Sequence, residues 1–222
     1  MTQTPAQSFQ VVAMRAARLA ANGTPVTGPN QGYVSKAPLQ VQLSMDFENG
    51  KEFTQENGAG DICAYFKGAD KFKKIDISFD LCDLDAELIA ILTSDDVTAT
   101  TTGASGPTNG FVFPRVAGTG GGSILNGVSL EFWSKRWVGG GAPTSGLYWH
   151  WWFPKAILRV GDMTMENDFL KVPMTGYLQE NANFGNGPGD DFAAAPLLAI
   201  GAVAYTDTLP GAATTYVNVP FV

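Results

Sequence analysis

The stretch LQVQLSMDFE, Leu39 to Glu48, alternates apolar and polar residues without a break. In an extended chain Leu39, Val41, Leu43, Met45 and Phe47 share one face, and Gln40, Gln42, Ser44, Asp46 and Glu48 share the other. A period of two is the pattern of a β-strand with one face on a core. IDISFDL (Ile75–Leu81) repeats it: Ile75, Ile77, Phe79 and Leu81 oppose Asp76, Ser78 and Asp80. In Asp162–Phe169, Met163, Met165 and Phe169 oppose Asp162, Thr164, Glu166 and Asp168, with Asn167 as the exception.

Outward from these stretches, further strands are predicted at about 9–20, 127–138, 147–160, 171–180 and 196–206. Asn-Gly occurs six times, at 22–23, 49–50, 57–58, 109–110, 126–127 and 186–187. Asn-Gly favours the positive φ angles of tight hairpin turns, so the strands are expected to be antiparallel. One helix is predicted over about 84–94. Asp83 can cap it, and Asp85 and Glu87 place negative charge in its first turn. Leu84, Leu88, Ile91 and Leu92 form one apolar stripe. The expected fold is therefore mainly β, an antiparallel β-sandwich or barrel with one flanking α-helix.

Two segments break the pattern. Asn49–Asp61 (NGKEFTQENGAGD) is polar and glycine-rich between two strands. Asp95–Gly127 holds eight glycines, a threonine run at 100–102, and only Phe111, Val112 and Phe113 as a clear apolar group. Loops of that length without structure of their own are usually functional or mobile. Both are read as loops, and the second as a long glycine-rich loop or insertion.

At 222 residues the chain can bury one sizeable core, and 45% hydrophobic residues make it globular. Charged residues are only 16%, which leaves much neutral surface for contact with other protein. A net charge of −7 argues against a general nucleic-acid binder. The densest basic cluster, Lys71, Lys73 and Lys74, is flanked by Asp70 and Asp76. The uncharged stretch Phe192–Thr206 is shorter than the roughly 20 apolar residues of a membrane-spanning helix. The opening MTQTPAQSFQ has neither the basic start nor the apolar centre of a secretory signal. Cys63 and Cys82 form no C-x-x-C pair and are expected to be buried, reduced thiols.

Catalytic patterns do not emerge. The single histidine, His150, lies between Trp149 and Trp151, and aromatic packing or a place on a polar face is its expected part. Gly103-Ala104-Ser105-Gly106 lacks the spacing of a nucleophile elbow. Gly118-Thr119-Gly120-Gly121-Gly122-Ser123 lacks the lysine of a phosphate-binding loop. Asp95-Asp96, Asp190-Asp191 and Asp83 with Asp85 are carboxylate pairs of the type a glycosidase uses across a cleft, but turn and helix-start positions explain them. The acidic residues of 46–61 lack the spacing of an EF-hand.

The run from Tyr148 to Phe192, YWHWWFPKAILRVGDMTMENDFLKVPMTGYLQENANFGNGPGDDF, is the most specific part of the chain. Aromatic residues Trp149, Trp151, Trp152 and Phe153 lead into an extended segment. Thr175-Gly176-Tyr177, an asparagine-rich turn and Phe184-Gly185-Asn186-Gly187-Pro188 close it. This order resembles the C-terminal half of the major tail proteins of long, flexible-tailed phages. Met14 to Pro25 (MRAARLAANGTP) looks like the first strand and turn of that family, Gly32-Tyr33-Val34 like the entry to the second, and Phe72–Asp85 like the strand before the helix. The stretch 95–127 departs from the family pattern.

The resemblance implies a single tail-tube domain over 1–222, similar in fold to the bacterial type VI secretion tube protein. It implies rings of six copies, closed by continuation of inner sheets and stacked into a tube, with 49–61 as a stacking loop. The partners it implies are further copies of the chain, a tape-measure protein inside the tube, and tail terminator and tail-tip proteins. DNA would pass through the lumen without specific binding, and there would be no membrane partner, no cofactor and no enzymatic activity. The protein would be made in the host cytoplasm and reside in the virion tail. On this reading Asp46, Asp76, Asp80, Asp162, Glu166 and Asp168 are lumen-lining candidates, since carboxylates repel DNA. Phe53, Phe111 and Phe113 are candidates for contacts between subunits. A carbohydrate-binding β-sandwich on a virion or cell surface is the alternative, with exposed aromatics as its requirement; a glycoside-processing enzyme would need a deep acidic cleft.

Overall fold

A computed structural model describes residues 6–26, 31–36, 38–94, 98–101, 108–113, 124–138, 147–163, 171–184, 192, 199–207 and 209–210. The chain is mostly β, with antiparallel sheets and one short helix, a β-sandwich with a flanking helix. The elements are β1 (Ala6–Arg18), β2 (Gly32–Ser35), β3 (Pro38–Glu48), β4 (Glu52–Glu56), β5 (Ile62–Lys67), β6 (Lys71–Leu81), α1 (Ala86–Leu92), β7 (Thr98–Thr101), β8 (Thr108–Val112), β9 (Val128–Val138), β10 (Tyr148–Val160), β11 (Val172–Gln179) and β12 (Ala202–Thr206), with a short 3-10 turn at Ile124–Asn126.

Eight strands form the main sheet in the order β2-β1-β9-β10-β11-β6-β3, with β12 beside β10. Strand β10 serves two neighbours on one edge. Tyr148–Trp152 pairs with β12, and Lys155–Val160 pairs with β11. Pro154 falls at this changeover, where the β9 pairing also slips between Phe153 and Ala156. A residue without an N–H belongs at such a break.

The alternation predicted for Ile75–Leu81 holds. Ile77, Phe79 and Leu81 are buried in the main core with Met14, Leu130, Phe132, Phe153 and Leu158. Among the described side chains of β3, Val41 and Leu43 reach that core. Met45 and Phe47 lie on the same alternating run but are exposed, because the strand continues past the body. Adjacent residues of β10 point to opposite faces. Phe153 therefore faces the main core, and Trp152 packs in a second cluster with Leu19, Phe184 and Phe192.

The helix is shorter than predicted and its cap is different. Asp85, not Asp83, is the N-cap, accepting from the N–H groups of Glu87 and Leu88 at 3.0 and 3.1 Å. The Tyr33 hydroxyl of β2 also donates to Asp85, which holds that residue extended and delays the first turn. Leu84 then precedes the helix and is exposed, while Leu88 to Leu92 are all buried. Strands β1, β2, β7 and β8 cover the helix. At the other end Ser94 has φ of 53° and donates to the Gly127 carbonyl at 2.9 Å, closing the helix onto the start of β9.

Both predicted loops carry strands. Within Asn49–Asp61 lies β4, paired with β5 in a separate sheet. Within Asp95–Gly127, β7 pairs with β8. The Asn109-Gly110 pair lies inside β8 rather than in a turn. The expected strand at 162–169 is not found at its start: Asp162 and Met163 follow β10 outside any strand, and 164–170 lie outside the described residues.

Candidate functional site

The most distinctive surface is a β-arm built on the far ends of β3 and β6. Their ladder runs on through Asp46↔Lys74, Phe47↔Phe72 and Glu48↔Lys71. Two glycines then let the chains cross. A Cβ on Gly50 would meet the Gly68 carbonyl oxygen at 1.8 Å, so a side chain is excluded there. Gly50 N–H donates to Asp70 at 2.9 Å, and Gly68 N–H to the Lys51 carbonyl at 2.9 Å.

Beyond the crossing, Phe53 pairs with Phe66, Thr54 with Tyr65 and Gln55 with Ala64. The Asn57-Gly58 turn predicted from sequence closes this hairpin. Asn57 Oδ1 accepts the N–H groups of Ala59 and Asp61, both at 2.9 Å. Every residue of β4 and β5 is exposed. Alternation puts Phe53, Gln55, Ala64 and Phe66 on one face and Glu52, Thr54, Tyr65 and Lys67 on the other, and after a slip in the ladder Ile62 lies opposite Glu56. Phe53 and Phe66 are 61% and 63% exposed, apolar rings that nothing among the described residues covers. The Phe53 and Phe66 rings lie 6.5 Å apart. Cys63 is on this arm and Cys82 precedes the helix; both are free, and both are exposed rather than buried as expected.

Of the remaining subunit-contact candidates, Phe113 is exposed just past β8. Phe111 lies on β8, with its side chain outside the described residues.

Three acidic candidates come together. Asp46, Asp76 and Asp80 share the core-distal face of β3 and β6 with Gln40, Gln42, Ser44 and Ser78. Thr175 and Tyr177 of β11 continue that face, and Arg159 of β10 follows. Lysines join it too. Lys74 Nζ is 2.9 Å from Asp76, and that hydrogen bond holds the Lys74 ammonium above its ordinary pKa. Lys73 Nζ is 3.6 Å from Asp46. Asp162 is exposed past the end of β10; Glu166 and Asp168 lie outside the described residues.

A buried charge cluster was not foreseen. Glu131 on β9 is 1% exposed. Arg15 of β1 donates to both its oxygens, Nε at 2.6 Å and a terminal nitrogen at 2.7 Å. His150 Nε2 is 2.8 Å from Glu131 Oε2. The imidazole stacks on Trp133 at 4.1 Å and meets Phe192 edge-on at 4.7 Å, as its aromatic neighbours implied. Burial alone would raise the Glu131 pKa. The charge of Arg15 and the bonds from His150 and Arg15 outweigh that, so it is lowered. The cluster ties β1, β9 and β10 together, with Phe192 against its imidazole. The one sequence signal for it was Glu131 within the apolar run of β9, beside Trp133.

Among the described residues no group of three His, Cys, Asp or Glu gathers for a metal ion. The acidic residues of 46–61 are spread along the arm instead. Among those residues no helix is long and apolar enough to cross a membrane. No protein-family model matches the chain, and no curated protein matches it.

Proposed function

We propose that the chain is a structural subunit that assembles with copies of itself into stacked rings, forming the tail tube of a long, flexible-tailed phage through which DNA passes. The observation that carries this reading is the arm. A two-stranded hairpin alone is marginal in water, and exposed apolar faces of this kind mark interaction surfaces. Burial against neighbouring subunits gives the arm a reason to exist. Strand β3 ends the main sheet, and its outer edge has no partner strand among the described residues. Such an edge templates pairing with another chain, and ring closure removes it. Low charge on the chain as a whole fits a surface that copies of itself cover. The resemblance of Tyr148–Phe192 and Met14–Pro25 to major tail proteins selects the tube among possible assemblies, and with it the tape-measure, terminator and tail-tip partners.

Asp46, Asp76 and Asp80 share one hydrated face, which the reading assigns to the lumen. The carbohydrate-binding alternative asks for exposed aromatics, which Phe53, Tyr65 and Phe66 of the arm also supply, whereas Trp133 and Trp152 are buried and Trp149 and Trp151 half-buried. Negative-stain microscopy of the purified protein across concentration and salt tests the proposal. Rings or tubes are the expected result; a folded protein that stays monomeric throughout refutes it.

A further inference from the structure

The main sheet curls so that β1 and β3 approach each other without pairing as neighbours in the sheet order. The pairing of β1 with β9 slips twice near this seam, between Phe9 and Val11 and between Val11 and Ala13. A cavity of about 120 Å³ opens there, lined by Val11, Val41, Leu43, Trp151, Phe132 and Phe153. Val11, Val41, Leu43 and Trp151 are half-buried, so the cavity reaches the surface. Its polar lining is Ser134, whose hydroxyl already accepts from Trp151 Nε1 at 3.1 Å. A cavity needs two to four polar partners to hold a water firmly, whereas an apolar one of about 150 Å³ takes up a benzene ring.

We propose that this seam cavity receives an aromatic ring from the arm of a second copy of the chain, Phe53 or Phe66. The inference rests on the tube reading and specifies its contact. Two independent features of one chain match: an open apolar cavity the size of one ring, and a pair of exposed rings on a projecting hairpin. Within a subunit the two cannot meet. Ten residues separate Leu43 from Phe53, which along an extended strand is about 33 Å. Copies joined ring-to-cavity are therefore displaced by a distance of that order. A patch that fits a pocket elsewhere on the same molecule makes a head-to-tail contact, which propagates rather than stopping at a dimer.

Disulfide trapping tests it. In a background with Cys63→Ser and Cys82→Ser, a Leu43→Cys chain is mixed with a Phe53→Cys chain, and separately with a Thr54→Cys chain whose thiol lies on the opposite arm face. Under mild oxidation the Leu43→Cys and Phe53→Cys mixture is expected to give at least ten-fold more cross-linked dimer than the control. A parallel Leu43→Phe variant, folded by circular dichroism, is expected to lose assembly because its own ring fills the cavity. If the background protein assembles but the two mixtures cross-link equally, the docking is wrong and the tube reading stands. If the background protein forms no assemblies and no dimer is trapped, both fall.

Discussion

Replacing Glu131 with Gln tests whether the buried cluster holds the strands in place. Glu131 accepts three short bonds, 2.6 and 2.7 Å from Arg15 and 2.8 Å from His150. The side chains of Arg15 and Glu131 are only 15% and 1% exposed. The intact pair contributes little net stability, because burying both charges costs nearly what their attraction returns. Removing one partner is different: breaking a buried pair costs about 3–5 kcal/mol, since the other charge stays in place uncompensated. Gln keeps one acceptor oxygen for Arg15, which puts the expected loss near the lower end, about 3 kcal/mol. For a chain of this size each kcal/mol moves Tm by roughly 2–4 °C, so Glu131→Gln should melt about 6–12 °C lower. Urea unfolding followed by tryptophan fluorescence, with parallel thermal melts at pH 7, measures it. The lowered Glu131 pKa adds a signature. Its stabilisation is full above the unfolded carboxylate value of about 4.3 and is lost as pH falls through the folded value. The gap between the native chain and the variant should therefore shrink on acidification below about pH 4. A loss under about 1 kcal/mol at pH 7, or a gap constant down to pH 2, refutes the assignment of a stabilising buried carboxylate.

The other expectations concern the arm and the helix cap. Phe53 and Phe66 are 61% and 63% exposed; with rings of about 200 Å² and roughly 25 cal/mol per Å², alanine at both would forfeit about 6 kcal/mol of contact. Sedimentation should show the assembly threshold of that double variant raised by about 10⁴-fold, with the melting temperature unchanged. Gly50→Ala forces a Cβ onto the Gly68 carbonyl, so hydrogen exchange should show lost protection over 52–67 and native protection in the body. Burial first, then the bond to Asp85, raises the Tyr33 pKa. That stabilisation is present below the ordinary tyrosine value of about 10 and is lost as pH rises above it. Tyr33→Phe should flatten the alkaline decline in stability seen by urea midpoints between pH 9 and 11.

Strand faces were legible because burial on one side writes a period of two into sequence. It did so for Ile75–Leu81, and for β3 as far as Leu43. The arm escaped notice for the same reason. Neither face of β4 or β5 packs on a core among the described residues: EFTQE offers a single apolar residue and ICAYFK is apolar at five of six positions, so only Asn57-Gly58 announced the hairpin. The helix start was misplaced because two aspartates compete for the cap, and the choice between them comes from Tyr33, fifty-two residues earlier. The charge cluster needed three strands in register. No spacing along the chain brings Arg15 to Glu131, which lie 116 residues apart.

The acidic row shows the same limit and changes the lumen argument. Period two put Asp46, Asp76 and Asp80 each on the polar side of its own strand, and the β3–β6 pairing joins those sides into one face. It could not show that Lys73 and Lys74 reach Asp46 and Asp76, since a slip in the ladder between Asp46 and Phe47 sets that register. A wall made of this face would carry carboxylates beside Lys74 and Arg159, with little net charge to repel DNA at a distance. Exposed ion pairs are weak and salt-screened, so a passing phosphate chain could still draw the lysines away. What opposes adhesion on such a wall is local pairing together with hydration of Gln40, Gln42, Ser44, Ser78 and Thr175. The carboxylates then act mainly by occupying the lysines. Asp76→Asn would free Lys74, and retention of the assembled protein on a DNA column should rise at low salt. If Asp76→Asn and Asp80→Asn raise retention equally, general repulsion by the row governs rather than masking of Lys74, and if neither raises it, this face does not line the channel.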